Sequence, residues 1–216
     1  MAQGTPHCRL YLRLPAQLPA CIQSSLAQVI AQAGTHAGCV LLCRETGSSD
    51  AAPLDETWAE QILHLAHARD IAVLVEGDVE LARKIGADGV QIAADAALYA
   101  RARAGLGAGA IIGVDCGQSR HDAMVLAELG ADYVAFEARS HSLPAEEELA
   151  ELIGWWSEIF IVPCVAFGVE STDTARALAA LGADFVAPAE SLWLAPDATA
   201  RLAEFAAALG QARNAA

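Results

Sequence analysis

Lysine is nearly absent from this sequence, since Lys84 is the single lysine among 216 residues. Cations are scarce in general, with 13 lysines and arginines against 27 aspartates and glutamates and a net charge of −14. Such a surface repels the phosphate backbone of nucleic acids and anionic lipid head groups. The composition therefore argues against nucleic acid and membrane partners, and a small anionic ligand would need a local basic site.

Long apolar runs and a secretory leader are also missing. No apolar stretch reaches the roughly 18 residues of a membrane-spanning helix. The N-terminus, MAQGTPHCRLYLRLP, lacks the charged, apolar and cleavage segments of a signal peptide. The cysteines are Cys8, Cys21, Cys39, Cys43, Cys116 and Cys164. They form no CxxC pair, and most lie in apolar runs, which predicts buried, reduced thiols in a cytoplasmic protein.

A short phrase, glycine-alanine-aspartate, occurs three times after a helix-like run. It reads GADGV at 86–90, GADYV at 130–134 and GADFV at 182–186. Glycine suits the left-handed residue that follows a helix, and the apolar residues after the aspartate begin a strand. The phrase therefore marks a helix-to-strand junction, and its recurrence indicates alternating helices and strands.

Strand-like and helix-like runs alternate along the chain. Eight strand-like segments are CRLYLRL, CVLLCR, IAVLVE, DGVQIA, AIIGVD, DYVAFE, FIVPCVAF and DFVAPA. The runs between them have apolar residues three and four apart, as in amphipathic helices. Several strands are apolar throughout, which is typical of buried parallel strands. We predict one domain over residues 1–216, a single (β/α)8 TIM barrel, with an open doubly wound sheet as the alternative.

In such a barrel, ligands bind at the mouth formed by the residues that follow the strands. The carboxylates expected there are Glu76, Asp78, Asp95, Asp115, Glu137 and Glu190, and the cations are Arg44, Arg120 and Arg139. Each acid could be a helix cap favoured by the helix dipole, or two or three of them could bind a divalent cation. The tryptophans Trp155, Trp156 and Trp193 are expected to pack helices onto the barrel or to line a homodimer surface.

Several blocks resemble the thiamine phosphate synthase family and its thiazole tautomerase relatives. They are the Arg-Glu pair after the second strand, VELARKIGADGVQI, IIGVD, GADYVAF, VAFG and GADFVA. The resemblance runs from about Val40 to Leu192. It implies a (β/α)8 barrel that uses Mg²⁺ to join hydroxymethylpyrimidine diphosphate to thiazole phosphate, with release of diphosphate. The implied partner is a small molecule bound at the carboxyl ends of the strands.

The basic groups of that family are mostly missing here. Arg44 matches the basic run after the second strand, but the glutamine and lysine of that run are Leu42 and Thr46. The family's Asn-Asp-Arg segment after the third strand reads Glu-Gly-Asp at 76–78. Lys84 lies late in the third helix, away from the mouth. Because charge-assisted hydrogen bonds contribute roughly 1.5–3 kcal/mol each, we expect diphosphate binding or departure to be weakened by several orders of magnitude.

The resemblance also assigns candidate site residues. The ligand-binding candidates are Arg44, Glu76, Gln91, Arg139, Gly168, Ala189 and Glu190. Glu76 and Asp95 are the candidate magnesium ligands, because the family's second magnesium aspartate falls on Ala96, next to Asp95. The candidates for catalysis are His141, Asp115 and Glu137. Glu190 stands where a phosphate would meet the last loop.

These residues predict a diverged member of the family with weak or absent synthase activity. One alternative is a tautomerase-like enzyme that transfers a proton through His141 or a rim carboxylate. The other is a noncatalytic barrel that binds a thiamine-related heterocycle.

Overall fold

Eight parallel strands close into a barrel in the computed structural model, which describes residues 8–33, 36–44, 54–138 and 144–212. Neighbouring strands pair in chain order, and β1 also pairs with β8 to complete the ring. The predicted (β/α)8 barrel is therefore confirmed, and the sheet is closed rather than open.

The elements alternate as the sequence predicts. The strands are β1 (Arg9–Pro15), β2 (Ala37–Cys43), β3 (Ala72–Glu76), β4 (Gly89–Ala93), β5 (Ile111–Gly117), β6 (Tyr133–Glu137), β7 (Cys164–Val169) and β8 (Phe185–Pro188). The helices are α1 (Ala20–Ala33), α2 (Glu56–His67), α3 (Val79–Ile85), α4 (Ala96–Leu106), α5 (Arg120–Glu128), α6 (Ala145–Ile159), α7 (Thr172–Ala180) and α8 (Ala198–Ala212). A 3-10 helix, Glu190–Leu194, lies between β8 and α8.

Strand β7 begins four residues later than its apolar run suggests. Ile161 is fully exposed, and Pro163 has no N–H to donate to a neighbouring strand, although its carbonyl accepts a bond from the Val134 N–H. The strand therefore starts at Cys164.

The glycine of each repeated phrase ends a helix. Gly86, Gly130 and Gly182 have φ angles of 72°, 99° and 104°, in the region that side chains disfavour. The alanine after each glycine donates its N–H to a carbonyl five residues earlier, as in a Schellman cap. The predicted helix-to-strand junction is confirmed in all three copies.

The aspartate of each phrase fixes the position of the next strand. Its N–H donates to the carbonyl of a residue in the preceding strand, and its carboxylate accepts the N–H of that same residue. The carboxylate contacts are Asp88 to Val73 at 2.7 Å, Asp132 to Ile112 at 2.8 Å and Asp184 to Cys164 at 2.9 Å. These side chains therefore hold strand pairs at the amino-terminal end of the barrel, away from the mouth.

Two apolar layers stabilise the barrel. The outer layer lies between strands and helices, and it includes the fully buried Trp156 and the nearly buried Trp193. The inner layer fills the barrel and includes Tyr11, Leu74 and Phe167. Both tryptophans thus pack helices onto the barrel, as one of the two expectations for them stated.

The described cysteine side chains, Cys8, Cys39, Cys43, Cys116 and Cys164, are buried and unpaired. Burial raises the pKa of Cys43 to about 12, so this thiol stays protonated at neutral pH. Among the helices of the described residues, we find none with the length and apolar character needed to cross a bilayer.

Substitution of Gly113 tests the packing of the inner layer most directly. A Cβ atom at this position would lie 1.8 Å from Cζ of Tyr133, so Gly113→Ala must displace a buried ring. We expect a loss of about 1–3 kcal/mol in the free energy of unfolding, measured by urea denaturation. Gly109→Ala is the control, because no atom lies within 4 Å of its added Cβ, and a change below about 0.5 kcal/mol is expected. Equal effects of the two substitutions would contradict this packing.

Candidate functional site

A cavity of about 580 Å³ opens at the carboxyl ends of β6, β7 and β8, beside the first turns of α6 and α7. We call it the mouth pocket. Four of the residues predicted from the sequence line it: Glu137, Gly168, Ala189 and Glu190. The structure therefore brings the predicted residues of the last three strands together.

Among the described residues, the cation that lines the mouth pocket is Arg13, near the end of β1. The basic residues expected at the mouth are Arg44, Arg120 and Arg139. This expectation is wrong because it omits Arg13. Arg120 instead lies over the ring of Trp155, with its guanidinium carbon 4.8 Å from the ring centre. Because side chains alternate along a strand, the order Arg-Leu-Tyr-Leu-Arg-Leu over 9–14 already contained the signal that Arg13 faces the barrel interior.

Arg13 is held by two carboxylates and one aromatic ring. Its guanidinium lies 3.1 Å from Glu190 Oε1, 3.7 Å from Glu137 Oε1 and 4.7 Å from the ring centre of Phe167. The arginine side chain is only 10% exposed, while those of Glu137 and Glu190 are 25% and 40% exposed. Burial opposes the charge, but Cys43, which ionises only well above neutral pH, and the carboxylates of Glu190 and Glu137 outweigh it, so the pKa of Arg13 is raised. The guanidinium is therefore a permanent charge that is already neutralised within the chain.

Gly168 shapes the wall of the pocket beside Glu137. Its φ angle is 73°, which strongly favours glycine, and an added Cβ would lie 3.5 Å from Oε1 of Glu137. Ala189 is buried beside the end of β7, where its N–H donates to the carbonyl of Val169 at 2.9 Å, and it leads into the 3-10 helix that begins at Glu190. These two positions supply shape and carry no donor or acceptor side chain.

Gln91 lies in the barrel interior and is 1% exposed. Its Oε1 atom is 2.9 Å from the Tyr11 hydroxyl and 2.8 Å from the Tyr133 hydroxyl, and the hydroxyls are 2.6 Å apart. Burial raises the pKa of both tyrosines well above the ordinary value, so both remain neutral donors. The side-chain amide oxygen of Gln91 is thus engaged by the protein itself. The contact between Gln91 and a ligand stays a prediction.

Glu76 and Asp115 lie half-buried near the ends of β3 and β5. Oε2 of Glu76 accepts the backbone N–H of Arg44 at 2.9 Å, and Asp115 accepts the N–H of Gly117 at 3.0 Å. Burial raises the pKa of Glu76; the Arg44 N–H and Arg13 partly offset this, whereas Glu190 and Asp115 add to it. Glu76 therefore binds its proton more tightly than a carboxyl in water does.

Two of the predicted mouth acids are helix caps. Asp78 accepts the N–H of Leu81 at 2.9 Å, and Asp95 accepts the N–H of Leu98 at 2.7 Å. In the ranges that the structure describes, no group of three or more histidines, cysteines, aspartates or glutamates is placed to hold a metal ion. The magnesium-binding roles predicted for Glu76 and Asp95 therefore stay predictions, and we derive no chemical step through Mg²⁺.

His141, Arg139 and Thr46 lie outside the described residues. The catalytic role predicted for His141 and the ligand-binding role predicted for Arg139 therefore stay predictions. The same holds for the catalytic roles of Asp115 and Glu137, which the structure locates without testing.

Comparisons with known proteins agree on one family. The family model described as thiamine monophosphate synthase matches residues 13–192. A thiamine-phosphate synthase of Rhodospirillum centenum is 39% identical over 192 residues, which cover 88% of this chain and 91% of the relative. One of Hyphomonas neptunium is 36% identical over 200 residues, 89% of each chain. The residues matched by the family model include every residue that lines the mouth pocket.

A solved structure supports the fold independently. Thiamine phosphate pyrophosphorylase from Pyrococcus furiosus superposes with a TM-score of 0.70 and covers 96% of this chain and 98% of its own length. Its sequence is 20% identical, so this likeness shows the fold alone.

The pKa of Glu76 gives a prediction about pH. A raised pKa means that the native state binds this proton more tightly than the unfolded state, so stability is lost as pH rises above the ordinary range of a carboxyl. We expect Glu76→Gln to raise the free energy of unfolding at pH 7 and to give little gain near pH 4. Urea denaturation at both pH values measures this, with the exposed Glu128→Gln as control. A gain independent of pH, or a loss at pH 7, would contradict the assignment.

Proposed function

The chain belongs to the thiamine monophosphate synthase family, and from this premise we propose that it is a diverged member. Its nominal reaction joins hydroxymethylpyrimidine diphosphate to thiazole phosphate and yields thiamine phosphate and diphosphate. In this proposal the mouth pocket binds a thiamine-related heterocycle, and synthase activity is weak or absent.

The observation that carries the proposal is the state of Arg13. In the described part of the chain, Arg13 is the cation that lines the mouth pocket, and it is paired with Glu137 and Glu190. Two further glutamates, Glu146 and Glu170, line the same cavity. A ligand that enters the pocket therefore meets one neutralised cation and several carboxylates.

Diphosphate chemistry needs the opposite balance of charge. When the carbon–oxygen bond to diphosphate breaks, the electron pair stays on the leaving group, and cations or a metal ion must stabilise that growing negative charge. Solvent screens the carboxylates of a concave pocket poorly, so they repel the negative charge that grows on the departing diphosphate. The electrostatics thus favour slow departure of diphosphate and weak binding of phosphate esters.

The same pocket favours a heterocycle that is neutral or positively charged. Phe167 and Leu149 supply apolar contact area at its wall, and the glutamates supply hydrogen-bond acceptors. Thiamine and its aminopyrimidine half carry the matching features, namely an aromatic ring, a donor amino group and, in thiamine, a positive charge. Such a ligand can be attracted without a free basic residue.

A proton-transfer reaction is the second candidate, and Glu76 is the observation that favours it. A half-buried rim carboxyl with a raised pKa can hold or release a proton nearer neutral pH than an exposed one. Glu76 is not among the residues that line the mouth pocket, so in this version the reacting atom of the heterocycle lies on the β3 side of the barrel mouth, beside Glu76. A cytoplasmic location and a homodimer, both expected from the sequence, likewise stay predictions.

Synthase turnover tests the proposal. With hydroxymethylpyrimidine diphosphate, thiazole phosphate and Mg²⁺, we expect turnover far below the order of 1 s⁻¹ that is ordinary for enzymes. The Rhodospirillum centenum relative, assayed in parallel, serves as the comparison enzyme. Turnover of about 1 s⁻¹ or more by this chain would show that the acidic pocket does not impair the reaction.

Ligand binding tests the other half of the proposal. Thermal-shift measurements with thiamine, the aminopyrimidine alcohol and thiazole phosphate are expected to show stabilisation by the first two and little or none by the phosphate ester. A ligand that binds the native protein raises its melting temperature through mass action, so the readout is a shift that grows with ligand concentration. No shift with any of these compounds would remove the support for a thiamine-related ligand.

A further inference from the structure

The mouth pocket has three donor side chains among its described lining residues, and each is directed to a glutamate. Arg13 pairs with Glu137 and Glu190. The Thr174 hydroxyl donates to Glu146 Oε1 at 2.6 Å, and the Ser191 hydroxyl donates to Glu170 Oε2 at 3.3 Å. The two hydroxyls and Nη2 of Arg13 are thus already engaged by carboxylates of the chain itself, while Nε of Arg13 is buried and has no hydrogen-bond partner among the described residues.

The position of Glu190 makes it the most consequential of these carboxylates. It follows β8 directly, and the exits of β7 and β8 are where (β/α)8 barrels commonly bind phosphate groups. Its Oε1 atom lies 3.1 Å from Nη2 of Arg13, which is within hydrogen-bond distance. The Glu137 contact is longer, at 3.7 Å. An anionic group of a ligand would have to displace Glu190 to reach Arg13.

We propose that Glu190 sets the charge selectivity of the mouth pocket, because its carboxylate occupies on Arg13 the place that a phosphate of the ligand would take. The ligand is therefore an unphosphorylated heterocycle, whose hydroxyl or amino group donates to the glutamates between β7 and β8. This inference rests on the proposed heterocycle-binding function and specifies which form of the ligand the pocket accepts.

Substitution of Glu190 tests the proposal by unmasking Arg13. The probes are hydroxyethylthiazole, its phosphate ester and inorganic phosphate, each titrated calorimetrically into the full chain at low ionic strength. For the unaltered chain we expect the alcohol to bind more tightly than the ester. Glu190→Gln is expected to strengthen binding of the ester and of inorganic phosphate by about tenfold or more and to change binding of the alcohol by less than about threefold.

The matched control is Glu170→Gln, which removes a carboxylate of the same pocket that contacts Ser191 rather than Arg13. If unmasking of Arg13 is the cause, this control gains at most about threefold in phosphate binding. Equal gains in the two variants would overturn the proposal, because general loss of negative charge would then suffice. Preference of the unaltered chain for the phosphate ester would overturn it as well. Glu190→Ala, with folding checked by circular dichroism, replaces the glutamine variant if that variant does not fold.

The inorganic phosphate arm separates this inference from the proposed function. If no variant binds either thiazole compound but Glu190→Gln gains phosphate binding, the proposed ligand is wrong and the role of Glu190 stands. If the alcohol binds but Glu190→Gln gains no phosphate binding, the proposed function stands and the role of Glu190 is wrong.

Discussion

The guanidinium of Arg13, enclosed at the mouth of the barrel, is the constraint on which the arrangement of this site depends. Alternation along β1 directs the side chain inward, and Phe167 packs against its face. A buried charge is costly unless it is paired, and removal of one partner from such a pair is strongly destabilising. Glu137 and Glu190 meet this requirement from β6 and from the segment after β8. The acidic character of the pocket is therefore partly the consequence of an internal cation.

The amino-terminal end of the barrel is built by different residues and does not depend on the mouth. There the glycine and aspartate of the repeated phrase cap helices and fix pairs of strands, and Gly113 admits the ring of Tyr133 to the interior. The Tyr11, Tyr133 and Gln91 cluster lies within the barrel and closes the space with neutral polar groups. In (β/α)8 barrels this end serves mainly stability, whereas the residues that follow the strands carry function.

The fold could be predicted from the sequence, because helix and strand periods and the three repeated junctions all indicate one architecture. The residues of the mouth could be predicted only in part. Glu137, Gly168, Ala189 and Glu190 follow strands and do line one pocket, whereas Asp95 follows a strand and caps a helix. Position after a strand does not give the direction of a side chain or its partner. Position after a strand does not identify Arg13 as a mouth residue, because Arg13 lies within β1. Within a strand, the alternation of side chains decides which of them face the mouth.

If the carboxylates of the mouth pocket outweigh Arg13, the mouth of this barrel repels diphosphate and attracts cationic heterocycles. Calorimetric titration of the full chain with diphosphate and with thiamine, both without metal and at low ionic strength, measures this directly. We expect measurable binding of thiamine that weakens as salt is added, since salt screens the attraction by the carboxylates, and no binding of diphosphate up to millimolar concentration. Micromolar binding of metal-free diphosphate, with thiamine left unbound, would contradict it.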